Sequence, residues 1–340
     1  MKSSRRKILA LAIAVVLLCI TGIFGWRANR QAQLDRALLS EVKHQETDRV
    51  ISLLAAGADA NTKDVPSSSR LIWRRLWDRL RGRNVSAKPA QSALLVAVQG
   101  LPGTGPATEN IPLTKALLDR GADVNARDEQ GTTALMSAAM YGYPATVQLL
   151  LERGATINLA DDESYVLVGG SFGTAKAPLG RRTALQYASE FGNVQIMRML
   201  LKQGADTNVR NGYGQSLVME AVASGTTTQL RLLLTSGADV NATDKDGDTA
   251  LMYAVNSGYL DTISLLVQHG ADVNARNKKG ETALMYTMEP LDNQKALQLL
   301  LKLGADAQVI SKTGKTALKL AQKQHDSVSI SLLKQAGAKQ

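Results

Sequence analysis

The sequence predicts an all-α solenoid of stacked helix pairs with β-turn fingers, preceded by one transmembrane helix. Three observations carry that expectation. A phrase of the form LLxxGADVN recurs along the chain. A second phrase, TALM or a variant of it, leads most of the copies. An apolar run without charge lies close to the N-terminus.

Composition narrows the class before any motif is read. The 340 residues are 44% hydrophobic but only 4% aromatic, a bias that suits small, regularly packed helices. Of a net charge of +10, residues 1–30 carry +6 and residues 70–88 another +6, which leaves about −2 for the rest. A nucleic-acid reader more often spreads its Lys and Arg over a folded face, so no nucleic-acid partner is expected. Cys19 is the one cysteine, so no disulfide forms within the chain.

Residues 1–7 read as a cytoplasmic basic tail and 8–26 as a transmembrane signal anchor. The run from Ile8 to Trp26 has 19 residues and no charge, close to the ~20 that cross a bilayer as a helix. Four Lys or Arg precede it and two follow. The positive-inside rule then places the N-terminus in the cytoplasm and the rest outside it. A cleaved signal peptide is the rival reading, but its apolar core is usually shorter and a small-x-small pair would follow it. Lipidation at Cys19 would want a small residue before it, where Leu18 stands. The expected location is the inner (plasma) membrane, single-pass, with the body periplasmic.

The body is periodic. Thr183, Ser216, Thr249 and Thr282 are spaced 33 residues apart, and each opens a TALM-like phrase. A fixed period of this size means stacked supersecondary units. Residues 249–257 have apolar positions at helical spacing and Gly258 ends that helix. Leu260 to Gln268 supplies an antiparallel second helix, Gly270 closes it, and ADVNARNKKGE provides turn formers. One such pair cannot bury its apolar face alone, so neighbours must stack. Eight units are expected: a first repeat at 33–61, a basic amphipathic insertion at 62–90, and seven further repeats over 91–340. Two more insertions, 100–112 and 162–180, break the period. YVLVGGSFGT in the last of these has the pattern of a small hairpin.

The two phrases together closely resemble the ankyrin-repeat family, whose units open T-P-L-H-x-A and close L-L-x-x-G-A-D-V-N. Ala often replaces the family's Pro. The family's His becomes Met at Met136, Met219, Met252 and Met285, Gln at Gln186 and Lys at Lys319. The resemblance implies that bonds made by that His between units are missing and that Met replaces them with packing. It also implies a protein partner, bound through the concave face, the finger tips and the ends of the first helices. Carried onto this chain, those positions are Glu129, Gln130 and Tyr141 in unit three, and Arg182, Glu190 and Phe191 in unit four. They are Tyr213, Gln215 and Ser224 in unit five, Lys245, Asp246, Asp248 and Asn256 in unit six, and Lys278, Lys279 and Glu281 in unit seven. Tyr187, Tyr253 and Tyr286 recur at one place in their units, with Glu220 between them. They form either an aromatic ladder facing a ligand or packing between neighbours.

RLIWRRLWDRLRGR, residues 70–83, reads as a helix with Ile72, Trp73, Leu76, Trp77 and Leu80 on one stripe. Arg74, Arg75, Arg79 and Arg81 lie off it. Three uses fit that pattern: a second contact with an anionic bilayer, packing on units one and two, or a docking helix for a partner.

No metal, cofactor or enzymatic role is expected. DKDGD at 244–248 lacks the spacing of a calcium loop. His44, His269 and His325 are far apart, and no nucleophile elbow or phosphate loop is present. The function expected is a membrane-anchored protein–protein interaction scaffold, one that restrains or assists an enzyme. The alternative is a lipid-surface structural protein acting through residues 70–83.

Overall fold

In the computed structural model, residues 25–63, 91–99, 108–162, 164–170, 173–288 and 293–338 are described. The basic segment with Trp73, Arg74, Arg75, Trp77, Arg79 and Arg81 lies outside them, as does the expected membrane span up to residue 24. Among the described residues no helix is long and apolar enough to cross a membrane.

The GADVN phrase is a hydrogen-bond device. Gly270 has φ +91°, a conformation that glycine adopts without steric cost. Ala271 is buried, and Asp272 accepts from the backbone N–H of Asn274 at 2.9 Å. Asn274 then reaches the next unit: its Oδ1 accepts from Asp306 N–H at 2.8 Å, and its Nδ2 donates to the Gly304 carbonyl at 3.2 Å. Asn241 makes the same pair of bonds to Asp272 and Gly270. Each Asn therefore staples one unit to its successor.

The TALM phrase starts a helix. Thr133, Thr183, Ser216, Thr249 and Thr316 each cap a first helix by accepting from the backbone N–H three residues on. A cap of this kind is worth about 1 kcal/mol. Behind the cap, the Ala and Leu of the phrase are buried, as are Leu217 and Val218 in the copy opened by Ser216. The four Met at the family's His position are buried too. Gln186 instead turns back on its own helix, completing a capping box with Thr183. Lys319 donates to the Gly314 carbonyl at 3.3 Å.

The chain forms two compact units, residues up to Thr156 and residues from Ile157. The first unit holds α1 (residues 25–43), α2 (Thr47–Ala55), α3 (Ala93–Gln99), α4 (Ile111–Asp119), α5 (Ala134–Tyr141) and α6 (Pro144–Glu152). Helix α5 packs on α3 and α6, and α4 on α2 and α6. Lys63 and Ser92 pair as an antiparallel bridge, and Asn61 accepts from Asp123 N–H at 2.6 Å. The residues on either side of the basic insertion therefore meet at one finger, and the first repeat docks directly on the second. Ile111 and Pro112, placed in an insertion by the sequence pattern, open helix α4. Asn110 caps that helix, and Pro is suited to its first turn.

The second unit begins with an antiparallel hairpin, β1 (Ser164–Gly170) and β2 (Gly173–Gly180), as the sequence pattern suggests. Helices α7 (Ala184–Glu190), α9 (Leu217–Ala223), α11 (Ala250–Asn256), α13 (Ala283–Tyr286) and α15 (Ala317–Lys323) then stack in order as first helices. Their partners are α8 (Val194–Lys202), α10 (Thr227–Thr235), α12 (Leu260–Gln268), α14 (Gln294–Lys302) and α16 (Ser327–Gln335). The core lies between the two rows: Leu251, Val255, Ile263 and Leu266 are fully buried in unit six. Helix α13 spans only 4 residues. Thr282 makes no side-chain cap there, and its buried hydroxyl has no partner among the described residues.

Candidate functional site

The fingers of the second unit are held by a polar rail. The fingers of units four to seven start with an Asp or Asn whose Oδ1 accepts backbone N–H across the turn, and Ser311 does the same with its hydroxyl in unit eight. Asp244 takes the N–H groups of Asp246 and Asp248, and Asn277 those of Lys279 and Glu281. The remaining polar atom of each Asp or Asn meets the side chain that recurs on the first helix. Tyr187 donates to Asp161 Oδ2 at 2.6 Å, and Tyr253 donates to Asp244 Oδ2 at 2.8 Å. Asn277 Nδ2 donates to the Tyr286 hydroxyl at 3.2 Å, which donates to Asp248 Oδ1 at 2.8 Å. The tyrosine ladder is thus a set of finger braces. Burial comes first among the causes that hold all three phenols above their ordinary value, and the neighbouring carboxylates add to it. For Tyr253 the result is about 12. Tyr286→Phe should cost about 1 kcal/mol by removing the hydroxyl's bonds to Asp248 and Asn277, which keep only the bond to each other. Faster amide exchange in residues 277–281 would show it, and unchanged exchange would refute the brace.

Several residues expected to face a partner are spent on this stacking. The Lys245 amine donates to the Gly212 carbonyl of the preceding finger, and the Lys278 amine to the Lys245 carbonyl. Asp248 accepts from Tyr286 and Asn277, and Glu281 pairs with Lys315 at 3.0 Å. Asp246, Asn256 and Lys279 are exposed. Glu129 and Gln130 are exposed and Tyr141 half-buried, all three in the first unit.

The structure brings Arg182, Glu190, Tyr213, Gln215 and Ser224 together around one pocket of about 310 Å³ between units four and five. Arg182 is anchored on three sides. It lies 4.4 Å above the Tyr187 ring, 2.8 Å from Glu190, and 3.9 Å from Asp161. Phe191, next to Glu190, and Tyr213 on the following finger are large side chains left 52% and 51% exposed. Sequence reasoning missed one residue of the lining. Glu220 stands where units four, six and seven carry Tyr, and it accepts from Asn211 Nδ2 at 2.8 Å. Burial pushes its carboxyl up to about 7; Asn211 opposes that shift, Glu190 adds to it and Arg182 opposes it. The one available signal was the break in the Tyr pattern.

Comparisons agree with this architecture. The family model for ankyrin repeats (3 copies) matches residues 80–161, 107–211, 164–244, 185–277 and 218–311. An ankyrin repeat-containing protein of Treponema pallidum is 33% identical over 114 residues, 33% of this chain and 33% of its own length. Neurogenic locus notch homolog protein 2 of Homo sapiens is 28% identical over 196 residues, 56% of this chain and 6% of its own. The chain therefore spans a third or less of these relatives. A solved ankyrin repeat domain from Acinetobacter baumannii AYE, 30% identical, covers 60% of this chain and 98% of its own, with a TM-score of 0.50. The stapled GADVN turns, the Thr-capped first helices and the family match across more than half of the residues agree: the chain belongs to the ankyrin-repeat family.

Proposed function

We propose that the chain is a membrane-anchored scaffold that binds a partner protein through the fingers and first helices of units four to seven, and that this partner is an enzyme it restrains or assists. Ankyrin repeats imply a protein–protein interaction scaffold. The observation that carries the choice of surface is the pair Phe191 and Tyr213, half exposed on adjacent units: Tyr213 lines the pocket, and Phe191 follows Glu190 of the same lining. Exposed aromatics beside polar groups are the composition of a protein interface. The run 8–26, with Lys and Arg at both ends, supports a single-pass anchor with the repeats on the periplasmic side.

The test is affinity purification of the full chain from its native cells, quantified by mass spectrometry. Phe191→Glu with Tyr213→Glu should lower recovery of the partner at least ten-fold and leave the unfolding temperature unchanged. Equal recovery would refute this surface. The Trp and Arg pattern of residues 70–83 supports a second reading, a lipid-surface role. On that reading deletion of 70–83 abolishes function, and the double Glu variant does not.

A further inference from the structure

We propose that the pocket between units four and five is the socket for a lysine or arginine side chain of the partner protein, with Glu220 as its counter-charge. The inference rests on the protein-binding reading and adds the chemistry of the anchor residue.

Charge decides the class of occupant. Three charge-bearing acidic or basic side chains line the pocket: Arg182, Glu190 and Glu220. Arg182 is already committed to Glu190 at 2.8 Å and stacked on Tyr187. Glu220 remains, with one hydrogen bond from a neutral amide and no ion pair among the described residues. An anion entering here would meet two carboxylates. A divalent ion needs several ligating side chains, and no group of three metal-ligating side chains is assembled among the described residues. A monovalent cation on an apolar stem meets what it needs in the lining: the half-buried Glu220 carboxylate, Tyr213, Gln215 and Ser224. The rise of the Glu220 carboxyl to about 7 is consistent with a carboxylate held out of water without a cation. In the smaller pocket at Lys279, Glu281 and Lys315 the carboxylate already has a cation, since Glu281 pairs with Lys315 at 3.0 Å.

The surroundings favour a protein as the source. Phe191 and Tyr213 offer exposed apolar surface beside the pocket, where residues flanking the inserted cation would pack. A free small cation would leave both rings in water.

The test has two arms, both on the full chain at pH 8. In the first, butylguanidinium and its neutral counterpart butylurea are titrated and followed by NMR at Tyr213 and Glu220. The cation should bind at least ten-fold more tightly than the urea, and Glu220→Gln should remove that preference. Tyr213→Ala, at an exposed finger position, is the second variant and should weaken the cation several-fold. Equal binding of the two probes, or an unchanged preference in Glu220→Gln, overturns the proposal. In the second arm, random twelve-residue peptides are selected on the chain. They should share one Lys or Arg whose replacement by citrulline costs at least ten-fold. Selected peptides with no such residue overturn the proposal. Cation binding with no peptide retained overturns the protein source and leaves a free small cation. A partner recovered equally by wild type and by Glu220→Gln leaves the scaffold reading standing and removes the socket.

Discussion

Glu220→Gln should make the second unit more stable at pH 8 by about 2–3 kcal/mol. Burial is the leading reason its carboxyl sits near 7 rather than the usual 4.5. Around it, Glu190 adds repulsion, while Asn211 and the Arg182 charge favour the ionised form. Between those two values the folded chain holds a proton that the unfolded chain has lost. The contribution of this group is therefore full below about 4.5, falls as pH rises through the window, and is lost above 7. Gln keeps the acceptor for Asn211 and the shape of the side chain, and has no charge to bury. Denaturant titrations at pH 5, 6, 7 and 8 should show the wild type falling relative to the variant. Parallel curves would mean that Glu220 is not held out of water.

Gly247→Ala should cost about 3 kcal/mol, which sums a left-handed backbone penalty of about 1–2 kcal/mol and a lost hydrogen bond. Gly247 has φ +83°, and a Cβ there would stand 2.8 Å from the backbone nitrogen of Lys278. That nitrogen donates to the Asp246 carbonyl at 3.0 Å, one of the rungs joining adjacent fingers. Gly258 is the control: its φ is +70°, but a Cβ there meets nothing within 4 Å. Gly258→Ala should cost only the backbone penalty. If the two variants lose equal stability, finger stacking contributes nothing measurable.

The repeat was legible because its chemistry is local. The Thr cap, the Asp turn and the Gly at positive φ each act within a few residues, so their spacing prints directly into the sequence. The Asn staple reaches the next unit, yet it repeats with the same period and is legible for the same reason. Finger-tip side chains were harder. Lys245 and Lys278 are long enough to reach either a partner or the preceding finger, and only the stacked backbone shows that they take the carbonyls behind them. The start of α4 was misplaced because Ile111 and Pro112 look like loop residues until Asn110 is seen to cap them. The Glu220 pocket was not legible. Its Asn211 partner and its buried setting come from different elements, and the sequence shows only a Glu in place of a Tyr.

In-cell photocrosslinking from position 191, compared with position 198, tests the binding surface most directly. Phe191 ends the first helix of unit four beside the pocket, and Arg198 is exposed on the second helix of the same unit. The account expects protein adducts from the probe at 191 and none from the probe at 198. Adducts from 198 with none from 191 would place the partner on the other row of helices and contradict it.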